Sequence, residues 1–312
     1  MSNYRFRTIG LVALSAVAVT MGVTGCSKDK AADTTVAVVE TEAAAPAGAA
    51  KGTEMNQALF DMLPESIKSS KVMTLATDPT DPPLEFYDAA NVLVGAEVDL
   101  AAAMGKVLGI EVKMVPSKFD AIIPGVEAGR FDGSLSGFAD RKERQKVVDF
   151  VDFFTTSRGY LTQKGKFPEL ADATDLCGRK VAVAKGTTMA DAIADLNIEC
   201  AKGTAGAIDG QIYPDQAACV LAVQSGRADL TILSGHAALA IAQNSKGELD
   251  VILRPTEGND INGIVLKKGE LAAPIQGAIQ QLFDAGVMTE IFTKWNIQAL
   301  LLPATAVNSG TN

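Results

Sequence analysis

The residues best placed to do chemistry lie in one stretch, D-G-S-L-S-G-F-A-D-R-K-E-R-Q-K-V-V-D-F, from Asp132 to Phe150. Small residues at Ser136 and Gly137 let a ligand approach the backbone, and Arg144 follows in a charged helical turn that can aim its guanidinium back at them. A planar cation beside such a turn suits carboxylate binding; the competing reading is a βα turn followed by a solvated charged helix. Two acids, Asp78 and Asp81, stand in T-D-P-T-D-P-P-L-E-F from Thr77 to Phe86, where three prolines forbid a helix and impose an extended loop. Gly186-Thr187-Thr188 opens a further helix, whose first-turn amides favour an anion. His236, the only histidine, reads as a first-turn helix residue after Ser234-Gly235. No H-E-x-x-H, phosphate-binding loop or G-x-S-x-G occurs, and neither a metal, a cofactor nor a catalytic residue is expected.

Strands at Val72 to Ala76, Glu111 to Val115 and the run entering Gly133 alternate with helical patterns at Glu97 to Leu108 and Lys118 to Ala128. This alternation predicts an α/β fold with a largely parallel sheet, in which ligands bind outside the C-terminal strand ends. The Asp78 loop and the Ser136 turn both fall there. A second run of the same kind begins near Tyr160, with strands at Lys180 to Ala184, Asp229 to Leu233 and Leu249 to Leu253.

The first 25 residues combine a basic start with an uncharged apolar run and read as a secretory signal peptide. The run ends V-T-G-C at Cys26, similar to a bacterial lipobox, so Cys26 is expected to carry a lipid that anchors an extracytoplasmic protein to the cell membrane. Residues 26–52 are rich in Ala, Thr, Glu, Gly and Pro and read as a flexible tether. The formal net charge of −9 becomes −11 when the leader removes Arg5 and Arg7, a balance poorly suited to nucleic acid. Export permits one disulfide among the remaining cysteines; Cys177 and Cys200 flank one strand-helix unit and form the preferred pair, with Cys219 a buried thiol.

These blocks together resemble the extracellular solute-binding proteins of family 3, the polar amino-acid receptors of ABC importers. The matching segments are the Thr77 loop, G-A-E-V-D-L-A at Gly95, F-D-A-I-I-P-G-V-E-A-G-R-F-D at Phe119 and E-R-Q-K-V-V-D-F at Glu143. V-A-V-A-K-G-T-T at Val181, A-V-Q-S-G-R-A-D at Ala222 and A-G-V-M-T-E-I-F-T-K-W at Ala285 continue in family order. The resemblance implies a type II two-lobed clamp. Residues 53–159 and 255–302 would form lobe 1 and residues 160–254 lobe 2, with hinge crossings near Tyr160 and Arg254; residues 303–312 read as a disordered tail. It implies a monomer that closes on an amino acid or related carboxylate-bearing solute and delivers it to a permease. A cyclohexadienyl dehydratase-like enzyme and a sensor for a signalling partner are the alternatives.

Carried over by position, Arg144 would grip the ligand carboxylate, and Phe119 would pack on the ligand. The Ser136, Gly137 and Phe138 turn would offer it backbone and hydroxyl partners, and Gly186, Thr187 and Thr188 would complete the carboxylate site. Three positions depart from the family: Asp81 replaces a common aromatic, Ala139 a hydroxyl residue, and Ser234 the lobe-2 aspartate that pairs with the ligand ammonium. A serine supplies no counter-charge. Either another acid, with Asp78 or Asp81 nearest, takes that role, or the ligand is not an ordinary α-amino acid.

Overall fold

A computed structural model describes residues 52–311 except 168, 169 and 171. The expected leader, Cys26 and nearly all of the tether lie outside the described residues.

Two mixed sheets carry the fold. The first has the strand order Leu301–Val307, Val148–Thr156, Asp260–Lys267, Gly133–Ser134, Val72–Thr77, Glu111–Pro116. The second has the order Asp209–Tyr213, Lys180–Ala184, Leu230–Ser234, Arg158–Gln163, Leu249–Arg254. Strands joined through helices are parallel, as in Val72–Thr77 beside Glu111–Pro116 and Lys180–Ala184 beside Asp209–Tyr213. Arg158–Gln163 and Asp260–Lys267 enter their sheets straight from the other lobe and pair antiparallel on both sides. The sheets are therefore mixed where the alternation predicted mostly parallel ones, because no helical crossover sets the direction of a strand that arrives through a hinge.

Two short links join the lobes: Ser157 alone separates Val148–Thr156 from Arg158–Gln163, and residues 255–259 separate Leu249–Arg254 from Asp260–Lys267. Tyr160 Oη donates to Glu257 Oε2 at 2.7 Å, and Arg158 N donates to Glu257 O at 2.9 Å, which ties one link to the other.

Alternating side chains bury both faces of each sheet. Leu75, Val151 and Ile264 pack under helices Ala96–Leu108, Ala272–Asp284 and Val287–Lys294, while their neighbours Ala76, Phe150 and Val265 pack under helix Phe119–Glu127. The second sheet repeats this with Leu161, Ala182 and Leu233 on one face and Tyr160, Val181 and Ile232 on the other. Cys177 and Cys200 are bonded, with Cα atoms 5.4 Å apart, and Cys219 is a buried free thiol whose pKa burial pushes up to about 12.

The C-terminal segment corrects an expectation. Residues 303–312 were expected to be disordered, yet Leu301–Val307 is an edge strand on Val148–Thr156, and Asn308 N donates to Phe150 O at 3.1 Å. Beyond it, Ser309 N and Oγ donate to Asp152 Oδ2 at 2.8 and 2.7 Å, and Gly310 N donates to Asp140 Oδ2 at 2.7 Å. The segment lacks an apolar pattern because buried carboxylates hold its end.

Candidate functional site

A cleft of roughly 550 Å³, counting its open mouth, lies between the two sheets. Lobe 1 contributes Asp81, Phe119, Gly137, Ala139 and Arg144 to its wall, and lobe 2 contributes Thr187, Thr188, Met189, Ser234 and His236. A smaller adjoining pocket is lined by Asp78, Asp81, Ser136, Asp215 and Gln216 among others.

Arg144 stands in a single 3-10 turn, Arg144–Lys146, and not in a regular helix, because the β-branched pair Val147-Val148 leads at once into the strand Val148–Thr156. Its Nη1 donates to Ala139 O at 2.9 Å, and its Nη2 donates to Gly186 O of lobe 2 at 3.1 Å. The Phe138 ring lies beneath it, with Cζ 5.2 Å from the centroid. Burial, helped by the nearby Arg141 charge, lowers the Arg144 pKa to about 10. The surface ion pair with Glu143 or Asp140 is not formed. Asp140 instead accepts from Gln145 and Gly310, and no described carboxylate pairs with Arg144. A half-buried guanidinium bonded to two carbonyls and facing a cleft is suited to accept an anion.

Phe119 stacks on Phe138 with centroids 4.1 Å apart and planes 11° from parallel. Phe119 lines the cleft, whereas Phe138 is fully buried in the core. The expected ligand role of Phe138 is therefore corrected: it props Phe119 and Arg144 from behind. Ser136 and Gly137 also turn inward. Ser136 Oγ donates to Glu85 Oε1 at 3.1 Å and accepts from Asp78 N at 2.9 Å, and Gly137 N donates to Glu97 Oε2 at 3.2 Å. In this form the turn's hydroxyl and the Gly137 amide are thus engaged within lobe 1, although Gly137 lines the cleft and Ser136 the adjoining pocket. Gly137, at φ +57°, instead makes room: a Cβ there would sit 2.8 Å from Asp81 Oδ2.

The two loop acids part company. Asp78 Oδ2 accepts from Phe119 N at 3.0 Å and caps the helix Phe119–Glu127, and burial raises its pKa. Asp81 faces the cleft and reaches lobe 2, where Ser234 Oγ donates to its Oδ1 at 3.3 Å. His236 Nε2 lies 3.0 Å from Ser234 Oγ and 3.4 Å from Asp81 Oδ1, while its Nδ1 is 3.3 Å from Thr156 Oγ1. His236 is indeed in the first turn of its helix, Gly235–Asn244, but it also lines the cleft.

On lobe 2, Gly186 takes φ +77° and its missing Cβ lets it lie against Asp120 of lobe 1. Thr187 caps the helix Thr188–Cys200: its Oγ1 accepts from Ala190 N at 3.2 Å and donates to Ala184 O at 2.7 Å. Thr188 Oγ1 has only the Met189 sulfur at 3.4 Å and lines the cleft at the helix N-terminus. Two ion pairs cross between the lobes, Lys118 Nζ to Asp215 Oδ2 at 2.7 Å and Lys185 Nζ to Asp120 Oδ2 at 2.8 Å, so the described form is closed.

Sequence reasoning missed Thr156, Asp260 and Asn262, which line the cleft at the ends of the linking strands. Their signal was position alone, beside each crossing.

A cleft between two α/β lobes, joined by two strand links and closed over Arg144, defines a solute-binding clamp. The chain belongs to the bacterial extracellular solute-binding proteins of family 3, whose pattern matches residues 73–298. It is 28% identical over 249 residues to the arginine-binding protein ArgT of Corynebacterium glutamicum, covering 79% of this chain and 81% of that one. It is 26% identical to the L-cystine-binding protein TcyJ of Escherichia coli K12, over 73% of this chain and 84% of that one. Among solved structures it resembles an ancestral arginine-binding protein bound to arginine, with a TM-score of 0.66, 30% identity, and 72% of this chain and 98% of that one covered.

Proposed function

We propose that this protein captures a zwitterionic solute of the amino-acid class between its lobes, without chemical conversion, and passes it to an ABC permease. The observation that carries the reading is Arg144. Its half-buried guanidinium faces the cleft and bonds a carbonyl of each lobe, with Asp191, Asp260 and Glu143 as nearby charges, so a ligand carboxylate would add charge-assisted hydrogen bonds and favour the closed form. Thr188 and its helix N-terminus would share that carboxylate, and Phe119 would pack on the solute. The arginine- and cystine-binding relatives agree with this class of cargo.

In this reading residues 53–156 with 260–310 move as one body and residues 158–254 as the other, hinged at Ser157 and residues 255–259. Lipidation of Cys26 would hold the clamp at the outer face of the cell membrane, as a monomer. The sole histidine is engaged by Thr156 and Ser234, which gives the dehydratase alternative no specific support.

Thermal-shift screening of residues 52–312 against the common amino acids tests the proposal. A stabilising ligand that is recovered unchanged, and whose binding weakens about 100-fold or more in Arg144→Ala, is the expected result. Turnover of the ligand, or near-normal binding by the variant, would refute it.

A further inference from the structure

We infer that Asp81 of lobe 1 supplies the ammonium counter-charge that the lobe-2 position Ser234 lacks, so that this clamp selects ligands bearing both a carboxylate and an amine. The inference rests on the carboxylate reading of Arg144. Two loop acids could serve, and the geometry separates them. Asp78 is spent on the amide of Phe119 at a helix start, whereas Asp81 faces the cleft that Arg144 faces. Asp81 is 6% exposed, so its carboxylate is largely removed from water. Among the described residues no lysine or arginine forms an ion pair with it, and its ionisable neighbour is His236, whose Nε2 lies 3.4 Å from Oδ1.

The Oδ1 atom of Asp81 lies 3.3 Å from Ser234 Oγ, so the acid has crossed the cleft to the place where a lobe-2 aspartate would present its charge. Ser234 and His236 hold that oxygen from lobe 2, while Oδ2 lies over the Cβ-free face of Gly137. Behind Asp81 stand two further carboxyls, Glu85 and Glu97. Both are buried and pushed up, Glu97 to about 8, so neither competes as a formal negative charge at neutral pH. The lobe-1 wall thus presents Arg144 and two carboxylates, and since Asp260 is already paired with Arg141 at 2.9 Å, Arg144 and Asp81 form the dipolar pair matched to a zwitterion.

Relocation makes a prediction that a merely structural Asp81 would not. Introducing an acid at Ser234 alone places two carboxylates in contact and should weaken binding of amino acids. Moving the charge, with Asp81→Asn and Ser234→Asp together, should restore it.

The experiment is calorimetry on the wild type, D81N, S234D, D81N/S234D and R144A, with two matched pairs of probes: L-arginine and 5-guanidinopentanoate, and L-glutamine and glutaramate. The second member of each pair lacks only the α-amine. We expect D81N to weaken the tighter-binding amino acid by about 30-fold or more while binding its des-amino analogue no worse than the wild type does, and the double variant to recover at least about 10-fold. Equal losses for both members of a pair overturn the inference and leave the Arg144 reading standing. If R144A binds like the wild type, or the wild type binds no common amino acid, both readings fall. Circular dichroism identifies any misfolded variant; if the double variant misfolds, the D81N comparison decides alone.

Discussion

The two walls of the cleft are built differently. Lobe 1 presents formal charge, Arg144 and Asp81, and sets it on a frame of buried acids: Glu85 and Glu97 hold Ser136 and Gly137, and Asp140 and Asp152 hold the C-terminal segment. Lobe 2 presents hydroxyls, one carbonyl and a helix start, held by ordinary caps and an apolar core. In the proposed reading recognition would thereby be concentrated on one lobe and closure on the other. A solute docked on lobe 1 would meet its charge partners first, and lobe 2 would then add hydroxyl and backbone contacts that the open form lacks.

The frame of lobe 1 should make its stability depend on pH. Burial and neighbouring acids push Glu85 well above its ordinary value of 4.5, and burial raises Glu97 to about 8. The folded state keeps a proton there that the unfolded chain releases, so this stability is fully present below about pH 4.5 and is lost as pH rises toward 8. Asp152, raised mainly by burial to about 6, adds in the same sense below that pH. Denaturation of the wild type from pH 5 to 8 should show stability falling by up to about 1.4 kcal/mol per unit for each acid that keeps its proton, with Glu97→Gln flattening the slope. An unchanged slope in that variant would remove the buried-acid frame from the contrast.

Ending the chain after Leu300 should cost lobe 1 about 2 kcal/mol or more, since it strips an edge strand and leaves Asp140 and Asp152 short of donors. Because Asp140 follows Ala139, whose carbonyl holds Arg144, ligand affinity should fall as well; a truncated protein of unaltered stability would contradict this. The smallest effect is expected between the lobes. Asp215→Asn and Asp120→Asn should each cost less than about 1 kcal/mol of closed-state stability, and less still at high salt, because both lysines are largely exposed. A larger, salt-independent loss in affinity would mean that charge also acts from lobe 2.

Much of this was legible in the residue pattern. The strand and helix periods located most elements, and the order of family motifs pointed to Arg144, Phe119 and Thr188. The inward bonds of Ser136 and Gly137 were not legible, because their partners Glu85 and Glu97 are remote in sequence. His236 shows the opposite limit. Its place in a first helix turn was readable, yet only the closed arrangement of lobes brings Asp81 to it. The C-terminal strand carries no alternating pattern, since its hold is polar.

The contrast between the walls turns on whether lobe 1 carries the recognition. The most direct test is one set of calorimetric titrations with the tightest-binding amino acid, comparing the wild type, Arg144→Ala and Thr188→Val. The lobe-1 variant should lose about 100-fold or more and the lobe-2 variant less than about 10-fold. Near-normal affinity for Arg144→Ala, with the larger loss in Thr188→Val, would contradict it.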